Sequence, residues 1–534
     1  MPLPMLLDYF ERSAKSLKPN LLPFPLDKFL LPSLIHRIFS HMFLSNPSLR
    51  ISLAVGIGVG LIYLALIPPG IPQIDGIAML ELSESLVRNH NFRVSPETGT
   101  LGLDGYYYSR WYPLLSVLAI PLVAVGLSLG RIFGLPANYV AGVCVLILPA
   151  LLTAATTSLV VLLALRLGST KQGAYLSGLS YAFGTIALVY SGTFFTEPLL
   201  AFLIAISSYL VLGKTNKEII SASIFSGLII LAKPTGLIVG PILSVYLIIR
   251  RRSLTLASSP LISTMFFTFI YGVYNFVRFG NPLSFGQSWI NNVPSEIAST
   301  AVGQNPASIE GAFEFLSKFM VPVQGILGLL ISPGRGLLWY SPVVILAFVG
   351  FRTALKKNRL EALLIVVLLL SFLLIHSGSW WSGGRSWGPR YLLPVLPGLL
   401  ALTALMRKRW MNLLLVLTIV GFFVNAPTRI VFYDRYFFEA AEQRIPEDKL
   451  LWSFEYAPFR HGWSMASRQI GDALKSDTSE LVKEKSIRKR YTHVIAIWWW
   501  MLPAVGISLW VGILITLTLI GLGAWIIRAG ILGV

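Results

Sequence analysis

From residue 51 to the end of the chain, long apolar runs alternate with short polar joins. Most runs approach the about 20 residues that a helix needs to cross a hydrocarbon core of about 30 Å. The pattern predicts an all-α polytopic membrane protein. Between runs, Lys and Arg collect in clusters: Arg50, Arg166 with Lys171, Lys214 with Lys217, Arg250 to Arg252, Arg352 with Lys356, Lys357 and Arg359, Arg407 to Arg409, and Arg528. Loops flanking membrane spans retain such residues on the cytoplasmic side. Keeping every cluster on that side requires the stretch 113–129 to lie along the outer face instead of crossing. Spans are then expected near 51–69, 137–165, 173–192, 198–213, 219–232, 235–249, 260–277, 336–351, 360–376, 392–406, 411–427 and 503–527, a bundle of about twelve with both ends cytoplasmic. Arg488, Lys489 and Arg490 fall on the outside in this scheme, in a long loop where the charge rule acts weakly.

Three organisational units follow. Residues 1–49 are Pro-rich with scattered Lys and Arg, have no cleavable signal pattern, and read as a cytoplasmic or interfacial segment. A transmembrane module covers 50–410, with a first outer loop at 70–136. The C-terminal spans occupy 411–534, with an outer loop at 428–493. The segment 278–320 also faces outward.

Composition sharpens the class. The 534 residues are 55% hydrophobic and 13% charged, where a soluble domain carries roughly 25% charged residues. A soluble enzyme is excluded. The net charge of +19 is mostly topology signal, so no nucleic-acid partner is implied. One cysteine, Cys144, lies in an apolar run, and the six His show no paired-ligand spacing.

Candidate chemistry collects on the predicted outer face. After the first span comes IDGIAMLELSESL, where Asp75 opens a short helix; it is either an N-cap or a general base that takes a proton from a hydroxyl. Glu81 suits a structural partner. Glu197, in TFFTEPLLAF, stands beside Pro198 at the outer start of a span, a helix cap or a second acid facing the same compartment as Asp75. Lys233, in LAKPTG, occupies an outer turn where the charge rule does not expect it; it either snorkels or binds an anion. Arg110, Arg335, Arg385 and Arg390 share that side amid Gly, Pro and aromatic residues. Arg grips phosphate oxygens bidentately and Lys acts as a point charge. Tyr108, Trp381 and Tyr391 belong to an aromatic belt from which some rings could stack on a sugar.

These motifs, in this order, resemble the GT-C superfamily of polyprenyl-phosphate-sugar-dependent glycosyltransferases, in a layout close to bacterial lipid A aminoarabinose transferases and protein O-mannosyltransferases. DGIAMLELSESL is similar to a first-loop D-E-x-x-Y-A-E motif, with Gly76 replacing its second acid. GYYYSRWYPLL, TFFTEPLLAF and LAKPTG resemble the elements carrying a first-loop basic residue, a second acid and a phosphate-binding lysine. The resemblance spans roughly 50–410. It implies transfer of a sugar from a polyprenyl monophosphate to an acceptor hydroxyl outside the cytoplasm, with inversion. Asp75 would be the base. Lys233, Arg390, Arg110, Arg335 and Arg385 would be phosphate-binding candidates, with Glu81, Tyr108, Trp381 and Tyr391 as acceptor or structural candidates. Glu197 would position the acceptor or share a divalent ion, Mg or Mn, with Asp75. The implied partners are the lipid-linked sugar, membrane lipids, and a glycan, lipid or protein acceptor. The competing class is a transporter or flippase; few charges at mid-membrane depth weigh against it.

Overall fold

The computed structural model describes residues 46–284, 286, 323–378, 380–476, 491 and 493–532. Most of the N-terminal segment, most of the expected 278–320 loop, and the run Arg488 to Arg490 lie outside them. The chain divides into residues 1–50 and one large compact unit, 51–534. Within the described residues, eight helices are long and apolar enough to cross a membrane: Pro47–Ala65, Pro113–Ile132, Ala137–Arg166, Pro234–Arg251, Leu254–Phe279, Arg359–His376, Lys408–Arg429 and Leu509–Leu532. Thr196–Val211 and Arg390–Thr403 are apolar but shorter. The chain is a multi-pass membrane protein.

The expected run 336–351 is broken. A turn of helix at Leu337–Tyr340 gives way to a 3-10 turn at Pro342–Leu346 before helix Ala347–Lys357, because Pro342 cannot continue the first turn. Pro113–Ile132, expected to lie along the face, is one of the eight long apolar helices. It packs on Ile74–Arg88 and on Ala137–Cys144. Ser83 donates to the Ser116 carbonyl and Ser116 to the Met79 carbonyl, 2.9 and 2.8 Å away. The neighbouring run 137–166 has 30 residues and comprises two helices, Ala137–Cys144 and Ile147–Arg166, the second alone about 30 Å long.

Four local features place the side chains that matter. Helix Asn216–Ala232 starts with a capping box in which Thr215 and Glu218 satisfy each other's backbone N–H groups. It stops at Lys233, extended at φ −167°, because Pro234 opens the next turn and disfavours helical backbone before it. Helix Thr196–Val211 begins with Glu197 and Pro198 inside its first turn. There a missing N–H costs nothing and a carboxylate meets the positive end of the helix. Phe195, not Thr196 or Glu197, is the N-cap.

Helix Ile74–Arg88 follows Gln73 as N-cap. Asp75 therefore sits one step inside the helix and caps nothing. Arg390 opens a 3-10 turn, Arg390–Val395, after a loop pinned by Trp387. That ring is fully buried, donates to Asn425 Oδ1 at 3.0 Å, and its backbone carbonyl accepts from the Tyr190 hydroxyl at 3.1 Å. Gly388 holds φ +66° with Tyr340 Cγ 2.8 Å from where a Cβ would stand, so no other residue fits there.

Candidate active site

These elements converge on a cavity of about 290 Å³ lined by Asp75, Met79, Trp111, Tyr112, Phe195, Thr196, Glu197, Lys233, Thr235, Ile375, His376, Gly378, Trp380, Arg390 and Tyr391. Residues from six distant stretches of sequence meet here. Arg390 Nη1 lies 3.2 Å from Asp75 Oδ2, and Lys233 Nζ lies 3.0 Å from Glu197 Oε1. The Tyr391 ring links the two pairs: Lys233 Nζ stands 4.2 Å above its centroid and the Arg390 guanidinium 5.1 Å away. His376 stacks on the same ring at 4.5 Å. A cation over an aromatic face gains a favourable electrostatic contact with the ring.

The two acids differ in access. Glu197 is 3% exposed, whereas the Asp75 side chain is 29% exposed. Solvent reaches Asp75 but hardly reaches Glu197. Three polar atoms on residues of the wall have no hydrogen-bond partner among the described residues: Arg390 Nε, Thr235 Oγ1 and Trp111 Nε1. Unpartnered buried polar groups cost about 1–3 kcal/mol each, and these three lie on residues that line one cavity.

The remaining sequence candidates stand elsewhere. Arg335 is 3% exposed and spends its guanidinium on three backbone carbonyls, of Ser382, Gly334 and Gly384, at 2.6 to 2.8 Å. It builds the loop before Arg390 and does not line the cavity. Arg385 is exposed and covers the Phe438 ring. Arg110 donates to the Gly99 carbonyl at the end of a small hairpin, where Gly99–Leu101 pairs antiparallel with Tyr107–Ser109. Glu81 accepts from Ser95 and Thr98 and ties down the segment after its helix. Tyr108 donates to Asp104 Oδ2 at 2.6 Å, and Trp381 packs on Gly328 and Trp452.

Thr235, His376, Trp111 and Tyr112 enter the cavity without having been singled out as site residues. For Thr235 a signal existed: it lies two residues after Lys233, across Pro234, in the same turn.

The segment after 426 reaches the site as well. Gln73 Nε2 donates to Asp434 Oδ2 at 2.6 Å, joining the N-cap of the Asp75 helix to helix Asp434–Glu442. Asp434 is 4% exposed, and burial pushes its carboxyl up to about 7, opposed by the Gln73 hydrogen bond. A carboxyl raised in the folded state adds stability fully below its unfolded pKa of about 3.9, and that stability is lost as pH rises through about 7. Asp434→Asn keeps an oxygen for Gln73 and removes the charge. The variant's thermal midpoint should therefore rise relative to wild type between pH 5 and pH 8. A difference that stays flat across that range would contradict the burial of a charged form.

Among the described residues, no group of three or more His, Cys, Asp or Glu converges, and each acid of the cavity already faces a cation.

Fold and site thus define a multi-pass membrane protein with a small cavity of paired acids and bases at one end of its helices. No protein-family model and no curated protein matches the chain. Among solved structures, the chain is similar to an oligosaccharyltransferase and to ArnT. The apo oligosaccharyltransferase of Archaeoglobus fulgidus is 14% identical, with 83% of this chain matching 59% of that one at a TM-score of 0.45. ArnT of Cupriavidus metallidurans is 15% identical, with 88% of this chain matching 76% of that one, at TM-scores of 0.44 in the apo state and 0.43 bound to undecaprenyl phosphate. The chain spans less than two thirds of the archaeal enzyme's length. At these scores the likeness assigns no residue a role.

Proposed function

We propose that the chain is a GT-C-type membrane glycosyltransferase that moves a sugar from a polyprenyl monophosphate donor to an acceptor hydroxyl on the extracytoplasmic face. The observation that carries this reading is the cavity itself: two cations, Lys233 and Arg390, line a space that a reachable carboxylate, Asp75, also faces. An anionic group that offers several acceptor oxygens pairs with those cations, and a phosphate is the compact one. The volume, near the about 300 Å³ lower end of ligand cavities, suits a sugar phosphate headgroup with its tail outside in lipid. Trp380 is 78% exposed on the rim, where a polyprenyl chain would leave.

In the reaction the acceptor oxygen attacks the anomeric carbon and its proton passes to an Asp75 carboxylate oxygen. The bond from that carbon to the phosphate oxygen breaks with its electron pair staying on the phosphate, and configuration inverts. Lys233 and Arg390 are already placed to meet the charge that grows there, so no reorganisation is needed at that moment. Arg390 contacts Asp75 directly and so fixes the base relative to the leaving group. Glu197, sealed from solvent, holds the Lys233 ammonium. About twelve spans, with 113–129 lying along the outer face beside Ile74–Arg88, fit this arrangement and the distribution of basic clusters.

Thr235→Val tests the phosphate reading with little risk to the fold, since the hydroxyl it removes has no partner among the described residues. A hydrogen bond to a charged group contributes about 1.5–3 kcal/mol, so affinity for undecaprenyl phosphate should fall by about tenfold or more with the thermal midpoint unchanged. Unchanged affinity would remove Thr235 from the phosphate site.

A further inference from the structure

A second cavity, of about 550 Å³, lies at the far ends of the same helices. Thr196–Val211 carries Glu197 at one end and leads to Lys214 at the other; Asn216–Ala232 runs from Glu218 to Lys233; Arg359–His376 runs from Glu361 to His376. At about 1.5 Å per residue these helices separate the two cavities by about 24 to 27 Å, close to the thickness of a hydrocarbon core. The far cavity therefore opens at the opposite membrane surface.

Its charged wall consists of Arg166, Lys214, Arg250 and Arg251 against Glu218 and Glu361. Both carboxylates are committed inside the protein. Glu218 accepts from the Lys214 and Thr215 backbone N–H groups at 3.0 Å and from Arg166 Nη2 at 2.8 Å. Glu361 accepts from the Tyr246 hydroxyl at 3.3 Å and faces Arg250 Nε at 3.5 Å. Arg251 donates one nitrogen to the Gly213 carbonyl, and the Lys214 ammonium has no partner among the described residues. Positive charge is left over and aimed at one space.

Exposed apolar side chains descend from that rim along two of its helices: Ile220 and Ile224 on one, and Val245, Ile248 and Ile249 on the other. A basic pocket above an apolar, lipid-facing wall matches a molecule with a phosphate head and acyl chains. Topology signalling alone accounts for basic residues at this surface, but not for a cavity of this size with a greasy flank.

We propose that this far cavity binds the headgroup of an anionic glycerophospholipid of the cytoplasmic leaflet, separately from the polyprenyl phosphate of the first cavity. The phosphate meets Lys214, Arg250 and Arg251, and the chains lie against Val245, Ile248 and Ile249.

The test uses the full-length protein in detergent with an equimolar mixture of phosphatidylglycerol and phosphatidylcholine, counting retained lipids by native mass spectrometry. Each basic residue near a membrane surface favours anionic lipid severalfold, so phosphatidylglycerol should be retained roughly tenfold over phosphatidylcholine. Lys214→Glu, at an exposed and unpartnered position, should bring the ratio close to one. Arg390→Ala, in the other cavity, should leave it unchanged. Equal retention of both lipids by the wild type, or an undiminished ratio in Lys214→Glu, would overturn the proposal. Loss of the preference in Arg390→Ala would move the lipid to the first cavity and overturn it too. Displacement of phosphatidylglycerol by millimolar inorganic phosphate would identify a soluble anion in place of a lipid.

Discussion

Asp75→Asn should lower the rate of sugar transfer by about 10²- to 10⁴-fold, the range that a positioned general base contributes, while affinity for the lipid phosphate stays within about twofold. The asparagine retains an oxygen to accept from Arg390, so the 3.2 Å contact and the loop behind it survive. What is lost is the negative charge, and with it the capacity to take the acceptor proton. A kcat effect with unchanged donor binding is the signature of a group that acts in the transition state. Wild-type turnover in the variant would strip Asp75 of the role of base, and a matching loss of donor affinity would make it a binding residue instead.

Lys233→Met should abolish phosphate binding and also destabilise the protein, by about 3–5 kcal/mol, because it leaves the Glu197 carboxylate buried and uncompensated. Those two losses separate in the double variant Lys233→Met with Glu197→Gln. Replacing a buried ion pair by neutral groups of similar size is often close to neutral for stability, so the thermal midpoint should recover. Binding of undecaprenyl phosphate should not. Recovery of both would reduce Lys233 to a counterion for Glu197, and recovery of neither would point to packing damage from the methionine.

Much of the cavity's polar frame is legible in the chain. Asp75, Glu197, Lys233 and Arg390 each stand beside a helix boundary marked by Pro, Gly or a polar residue, and the alternation of basic clusters puts those boundaries on one side. Side-chain direction is not legible in the same way. Arg335 and Arg390 share a setting of Gly, Pro and aromatic neighbours, yet one guanidinium is consumed by loop carbonyls and the other faces the cavity. The difference comes from where each loop's carbonyls point, which residue type does not encode.

Distant partners are hidden for a related reason. Gln73 and Asp434 are 361 positions apart, and nothing local in either segment announces that the late segment reaches the Asp75 helix. His376 ends an apolar helix and reads as a membrane-boundary residue until Tyr391 is seen stacked on it. The break at Pro342 illustrates the opposite limit: hydropathy suggests one span where proline chemistry imposes two short pieces.

The proposed function stands or falls on where the lipid phosphate sits, and a structure of the Asp75→Asn protein in lipid nanodiscs with undecaprenyl phosphate measures that directly. The expected result is phosphate density in the first cavity, within hydrogen-bond reach of Lys233 Nζ, Arg390 and Thr235 Oγ1. Phosphate density only at the far cavity beside Lys214 and Arg250, with none beside Lys233, would contradict it.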